Sequence, residues 1–255
     1  MNDSKKLVLL TNDDGIHASG LFILRQHLLQ FCDVIVVAPA EECSASSHAV
    51  TLRQSLSVET YQKDGEWIGY AVSGKPADCV KLALCELMKK KPDYIISGIN
   101  NGPNLGVSIF YSGTVAAARE GAITGIPSMA FSVTSHEVPD FEPAAFWSIQ
   151  IFREIMKLDV PQKTYLNVNI PHLPNDRIQG IKVTKQADSF YEEQFTKGSF
   201  STKEKSEYFL GGELLVAAEH GDNDVEVVES GFISVTPLKL DLTDEDYRRE
   251  LQDKF

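Results

Sequence analysis

Along the first two-thirds of the chain, short runs of consecutive apolar residues alternate with longer segments in which apolar residues recur at helical spacing. Such runs are typical of strands that are buried on both faces of a sheet. Four strands are predicted, at residues 7–10, 33–39, 93–97 and 127–133. Helices are predicted between or after them, at residues 18–31, 77–90, 112–121 and 143–156. The alternation predicts an α/β protein with a three-layer α/β/α, Rossmann-like core and a mostly parallel sheet.

Three further segments have strand-like composition without continuing this alternation. Residues 50–72 are predicted to form a β excursion that turns at residues 62–66, where polar residues and a glycine are clustered. Residues 165–171 and 178–184 are also predicted to be strands.

The last part of the chain has a different composition. Residues 188–230 are irregular and rich in charged and aromatic residues, which favours a hairpin arm outside the core sheet. A closing strand at 234–238 and an acidic helix from Thr243 are predicted to follow. We therefore divide the chain into an α/β core, 1–185, and a C-terminal part of the same globular unit, 186–255, that carries the arm.

Composition and charge narrow the classes of function. The 255 residues include 24 Lys and Arg against 36 Asp and Glu, which gives a net charge of -12. This balance argues against binding to nucleic-acid duplexes or to anionic membranes. No apolar run approaches the ~20 residues of a membrane span, and the N-terminus does not resemble a signal peptide. The four cysteines lack CxxC spacing, so we expect a reducing, cytoplasmic location.

An acidic pair directly follows the first predicted strand. Asp13 and Asp14 precede Gly15, and a solvated turn would explain such a triplet. Adjacent carboxylates repel each other, however, and a hard divalent cation removes that conflict by taking their oxygens as ligands. In open α/β sheets ligands bind beyond the carboxyl ends of the strands, where this pair would lie.

Polar segments also follow two other predicted strands. One contains Ser44, and the other, from Gly98 to Gly106, contains Asn100. An oxygen-only ligand set suits Mg²⁺ or Mn²⁺ and argues against zinc. The helix that begins at Ser112 could hold an anion at its N-terminus, although Ser and Thr are also common simple caps. Together these features indicate metal-assisted phosphoester hydrolysis.

In these segments and others, the chain resembles the SurE family of metal-dependent 5'/3'-nucleotidases (stationary-phase survival protein SurE). The resemblance extends in order along nearly the whole chain. The matching segments are Leu9–Ile16, Ala38–Pro39, Ser44–His48, Pro76–Val80, Ser97–Asn100, Gly102–Asn104, Ser112–Val115, Leu166–Pro171 and Ser234–Pro237.

The resemblance implies a set of site residues and a substrate class. It implies one Mg²⁺ or Mn²⁺ per subunit, bound by Asp13, Asp14, Ser44 and Asn100. It implies phosphate contacts from Asn104, Ser112, Gly113 and Thr114, and we assign Asn12 to the same group. The catalytic carboxylates would be Asp13 and Asp14. The implied reaction is hydrolysis of nucleoside 5'- and 3'-monophosphates, with short polyphosphate as a further substrate. Family members form homodimers or homotetramers partly by exchanging C-terminal arms.

Two alternatives stay open from the sequence. A receiver-type signalling module also places an acidic pair after its first strand to bind Mg²⁺ and a phosphoryl group. It needs an acceptor Asp after its third strand, where this chain offers Asn100. The other alternative is a protein that binds nucleotides without hydrolysing them.

Overall fold

The computed structural model describes residues 5–255 apart from residues 136, 138, 199, 201–204 and 218–220. Its strands are β1 (Lys6–Thr11), β2 (Cys32–Pro39), β3 (Val58–Lys63), β4 (Glu66–Val72), β5 (Tyr94–Asn101), β6 (Ser128–Thr134), β7 (Thr164–Pro171), β8 (Ile181–Val183), β9 (Ser189–Lys197), β10 (Tyr208–Val216) and β11 (Ile233–Lys239). Its α-helices are α1 (Ser19–Leu29), α2 (Pro76–Leu82), α3 (Gly113–Ile123), α4 (Glu142–Ile155), α5 (Asp224–Glu229) and α6 (Glu245–Gln252).

Nine of these strands form one sheet, in the order β3-β4-β2-β1-β5-β6-β7-β11-β8. The strands from β4 to β7 in this order are parallel to one another, while β3 and β11 each pair antiparallel with one neighbour. The prediction of a mostly parallel sheet is confirmed. Because β1 lies between β2 and β5, its carboxyl end is near the middle of the sheet edge.

Helices cover both faces of this sheet, as the apolar runs predict. Val8 and Leu10 of β1 point into the core cluster that contains α1 and α4, while Leu9 points into the cluster that contains Cys79 of α2 and Ala117 of α3. All three β1 side chains are fully buried. The alternation follows from the two-residue period of a strand, and each buried aliphatic side chain contributes about 1.5–3 kcal/mol of burial free energy.

Three predicted elements differ in extent from the observed ones. The helix predicted at residues 77–90 is α-helical only as far as Leu82 and continues as a π-helical turn over Ala83–Leu87. The strand predicted at 178–184 is observed only as β8. The excursion predicted at 50–72 is strand only in β3 and β4, which are joined through Asp64 and Gly65. Both joining residues have positive φ, as tight hairpin turns require.

The predicted arm extends too far at its C-terminal end. Strands β9 and β10 form a separate two-stranded antiparallel sheet, the hairpin at residues 189–216. Residues 224–229 are instead the helix α5, whose Val225, Val227 and Val228 are buried. This helix packs against β11 and β7 of the main sheet, because its apolar face has a partner there. Parts of the predicted arm, residues 199, 201–204 and 218–220, lie outside the described residues, and the division at residue 185 stays a prediction.

Among the helices of the described residues, none has the length and apolar character that crossing a membrane requires.

Candidate active site

Asp13 lies at the carboxyl end of β1 and is 4% exposed. Its carboxylate accepts hydrogen bonds from the Thr114 hydroxyl and from the backbone N–H groups of Gly113 and Thr114. Burial raises the pKa of Asp13 above its ordinary value, although these hydrogen bonds favour the ionised form and oppose the shift. The fold therefore places the first residue of the acidic pair, Asp13, against the N-terminus of α3.

Asp14 is less buried and has fewer partners. The backbone N–H of Asn101, at the end of β5, donates to Asp14 Oδ2 over 3.3 Å. Burial and the adjacent charge of Asp13 raise the pKa of Asp14 to about 7. The pair thus joins the ends of three elements, β1, β5 and α3.

Asn100 and Ser44 are the chain neighbours of two residues that contact this pair, Asn101 and Cys43. Asn100 Nδ2 donates to the Gly102 carbonyl at 2.8 Å, so the oxygen of its amide is the atom available to a ligand. Ser44 belongs to the loop after β2, and the backbone N–H of the preceding Cys43 donates to the Asp13 carbonyl at 2.7 Å. The Ser44 hydroxyl donates to Glu42 Oε1 at 2.6 Å and is solvent-exposed.

The start of α3 contains the N-cap of the helix and lies against Asp13. Ser112 is the N-cap, and its hydroxyl accepts the backbone N–H of Val115 at 3.1 Å. Gly113 approaches so closely that a Cβ atom there would lie 2.8 Å from Ser46 Oγ and 2.9 Å from Asp13 Cβ. The first N–H groups of α3 and the positive end of its helix dipole face Asp13. The predicted phosphate contacts of Ser112, Gly113 and Thr114 stay a prediction.

The side-chain amide nitrogens of Asn12 and Asn104 donate hydrogen bonds within the protein. Asn12 Nδ2 donates to the Gly15 carbonyl at 2.9 Å, which holds the turn that contains the acidic pair. Asn104 Nδ2 donates to Ser132 Oγ at 2.8 Å. Both residues are buried, so any contact with substrate would use their remaining atoms.

Two asparagines of β7 fix the Asn104 loop. Asn169 Oδ1 accepts the backbone N–H of Asn104 at 2.8 Å, and the amides of Asn167 and Asn169 donate to the Asn104 carbonyl at 2.7 and 3.0 Å. The sequence reasoning gave these two residues no role. Their spacing was the available signal, since two polar residues two positions apart in an apolar strand face the same side.

A buried ion-pair cluster anchors the loop after β2 to α3. Glu120 of α3 is 2% exposed and accepts from His48 Nε2 at 2.9 Å and from Lys81 Nζ at 2.7 Å. Burial raises the pKa of Glu120, but these two partners outweigh that effect and hold it below its ordinary value. Sequence reasoning also missed this cluster, because its members are distant along the chain.

The donor set at this edge fits a hard divalent cation. Its atoms are carboxylate, amide and hydroxyl oxygens, which Mg²⁺ and Mn²⁺ prefer. Several buried oxygens have no hydrogen-bond partner, and four of them belong to strand-end or neighbouring loop residues, Thr11 Oγ1, Asn12 Oδ1, Ser46 Oγ and Ser97 Oγ. In the part of the chain that the structure describes, no three His, Cys, Asp or Glu residues group to hold a metal.

The chain is similar to known proteins over nearly its whole length. A family model described as "Survival protein SurE" matches residues 8–193. The 5'-nucleotidase SurE of Chlorobaculum tepidum is 42% identical over 254 residues, which cover 97% of this chain and 94% of the relative. The 5'-nucleotidase SurE of Syntrophus aciditrophicus is 44% identical over 236 residues, or 92% of this chain and 88% of the relative.

A solved structure shows the same fold. The crystal structure of the Sure protein from Aquifex aeolicus is 40% identical and superimposes with a TM-score of 0.84. The match covers 97% of this chain and 99% of that one. The similarity therefore includes the core sheet, the site and the C-terminal part.

Proposed function

The chain belongs to the SurE family, and we propose that it is a divalent-metal-dependent phosphomonoesterase that hydrolyses nucleoside 5'- and 3'-monophosphates to nucleoside and phosphate. The observation that carries this proposal is the contact between Asp13, the neighbour of Asp14, and the N-terminus of α3. That arrangement places carboxylates for a cation beside N–H groups for an anion. The names of the relatives do not favour the receiver-type alternative.

We assign the cation to Asp13, Asp14, Ser44 and Asn100, with one Mg²⁺ or Mn²⁺ per subunit. When bound, it would neutralise phosphate charge and lower the pKa of a bound water. The side chains position the reacting groups. Thr114 and the first N–H groups of α3 fix the carboxylate of Asp13, and in our proposal this carboxylate takes the proton of the attacking water. Direct attack by Asp13 on phosphorus is the alternative.

Phosphate release from a panel of nucleotides tests the function. We expect release from nucleoside 5'- and 3'-monophosphates with Mg²⁺ or Mn²⁺ and none when a chelator is present. AMP binding without release would establish the nucleotide-binding alternative instead. A stable aspartyl-phosphate formed from a small phosphodonor, without turnover, would establish the receiver-type one.

Lys75 is a departure within the resemblance to the SurE family, which implies Thr at this position. Lys75 Nζ lies 3.7 Å from Cys43 Sγ, beside a cavity of about 410 Å³ whose lining also includes Glu42. The positive charge of the Lys75 side chain would attract substrates that carry more than one phosphate. We expect Lys75→Thr to raise KM for short polyphosphate more than KM for AMP in steady-state assays. Equal changes for both substrates would contradict this role.

The hairpin, residues 189–216, is proposed as an oligomerisation arm. Phe195 and Phe209 are 64% and 67% exposed, and large exposed apolar side chains mark partner surfaces. We expect a homodimer or homotetramer that becomes monomeric when a short glycine–serine linker replaces the hairpin. Light scattering after size exclusion measures this, with Leu158→Ser, which alters an exposed apolar residue elsewhere, as the control. A full-length monomer at micromolar concentration would refute the arm.

Cellular location and macromolecular partners follow from composition and charge. We propose a cytoplasmic location and no partnership with nucleic-acid duplexes or membranes. The net charge of -12 supports the second point, and the four free thiols support the first.

A further inference from the structure

A cavity of about 380 Å³ lies between the loop after β2 and the hairpin. The core contributes Ala45 and Tyr111 to its lining, and the hairpin contributes Tyr191, Glu193 and Leu210. Neither the sequence reasoning nor the comparisons assign a role to this cavity.

Two residues of the cavity lining are chain neighbours of candidate site residues. Ala45 follows Ser44, and Tyr111 precedes the N-cap of α3. The Tyr111 carbonyl accepts the backbone N–H of Ser47 at 2.8 Å, which holds the two walls together. Since Tyr111 is two residues before Gly113, their Cα atoms lie within about 7 Å of each other. A molecule whose phosphate meets the start of α3 can therefore extend into the cavity.

Two tyrosine rings form part of the wall. The ring centroids of Tyr111 and Tyr191 are 6.5 Å apart, and the ring planes are inclined by 58°. The Tyr191 hydroxyl is 2.7 Å from Ser108 Oγ, and Ser189 Oγ accepts the backbone N–H of Val107 at 2.8 Å. These two contacts fix the base of the hairpin and the Tyr191 ring on the turn that leads into α3. The rings are thus positioned before any ligand binds.

The charge of the lining decides which part of a substrate fits here. Among the described residues that line the cavity, Glu193 is the charged one, and none is Lys, Arg or His. A carboxylate repels phosphate, whereas the faces of aromatic rings stack on any nucleobase. The cavity therefore suits an uncharged planar group and not a second phosphate.

We propose that this cavity is the nucleobase subsite, in which Tyr111 and Tyr191 stack against the base of a nucleotide whose phosphate lies at Asp13 and the start of α3. The inference rests on the proposed function and adds the residues that distinguish a nucleotide from other phosphomonoesters. Because stacking is tolerant of base identity, the subsite accepts both purines and pyrimidines.

The test compares two substrates that share ribose and phosphate but differ in the base, AMP and ribose 5-phosphate. We expect Tyr191→Leu to lower kcat/KM for AMP by about fivefold to a hundredfold and to leave ribose 5-phosphate unchanged. Tyr191→Phe, which keeps the ring and loses only the Ser108 contact, should stay close to wild type. Phe146→Leu is the matched control, because it removes a ring of similar exposure on α4, a helix outside the cavity lining.

Three outcomes would overturn the subsite. Equal losses on both substrates would show that Tyr191 only positions the hairpin. Unchanged kinetics on both would place the base elsewhere. A changed oligomeric state without a change in the substrate ratio would make the cavity an interface with a second copy.

Binding of adenosine separates this inference from the proposed reaction. If the wild-type chain hydrolyses neither substrate, the proposed function fails while calorimetry with adenosine still decides the subsite. Adenosine binding that is lost in Tyr191→Leu and kept in Tyr191→Phe supports the subsite, and binding that is absent or equal in all variants refutes it.

Discussion

Asp13→Asn is expected to lower kcat for AMP by about 10²–10⁴-fold, and excess Mn²⁺ is not expected to restore the rate. The amide keeps the shape of the carboxylate but cannot accept a proton. It also turns one acceptor atom into an NH₂ group among donors, since Thr114 and the first N–H groups of α3 all donate to this side chain. Steady-state kinetics over a range of Mn²⁺ concentrations measure both effects.

Asp14→Asn should behave differently. In the described contacts its carboxylate accepts one backbone N–H, that of Asn101. In the proposed mechanism its main role is to supply negative charge to the cation. An amide oxygen still coordinates, but more weakly. We therefore expect a loss that excess Mn²⁺ reverses in part.

Both variants should remain folded, and Asp14→Asn removes a like charge from beside Asp13, which favours the metal-free protein. Asp33→Asn is the matched control, because Asp33 is an exposed residue near the opposite end of β2. Near wild-type hydrolysis by either site variant in the presence of chelator would contradict the proposed site.

Several features of this site could be predicted because they depend on local sequence. An uninterrupted apolar run specifies a strand buried on both faces, and the polar residues that follow it must lie at the sheet edge. The position of Asp13 and Asp14 follows from that argument. Asn100 follows from the same argument applied to β5, which pairs directly with β1.

Other features depend on contacts that no local pattern contains. Asn104 and Asn169 are 65 positions apart, and Glu120 and His48 are 72 apart, so only the folded chain shows that they bond. The position of α5 was missed for the same reason. Its valines need a partner surface, and β11 supplies one only after it has been inserted between β7 and β8.

Gly113→Ala is the second change from which we expect a large effect, about 10²-fold in kcat, because a small displacement of a catalytic group is enough to cost this much. The added Cβ would lie 2.9 Å from Asp13 Cβ and 3.0 Å from its Oδ2. Real Cβ atoms do not approach so closely, so the carboxylate of Asp13 must shift away from the start of α3.

Loss of stability would not account for that result. Alanine favours a helix over glycine by about 1 kcal/mol, and overpacking costs about 1–3 kcal/mol, so the free energy of unfolding should fall by at most about 2 kcal/mol. Thermal unfolding measures this directly. Gly221→Ala is the matched control, since a Cβ there meets no atom of the described residues within 4 Å.

A second substitution identifies which contact matters. The Cβ at position 113 would also lie 2.8 Å from Ser46 Oγ, and Ser46→Ala removes that oxygen. Because the contact with Asp13 persists, we expect the Gly113→Ala, Ser46→Ala double variant to stay as inactive as Gly113→Ala. Recovery of activity in the double variant would assign the effect to the Ser46 loop, and full activity of Gly113→Ala alone would remove the start of α3 from the catalytic site.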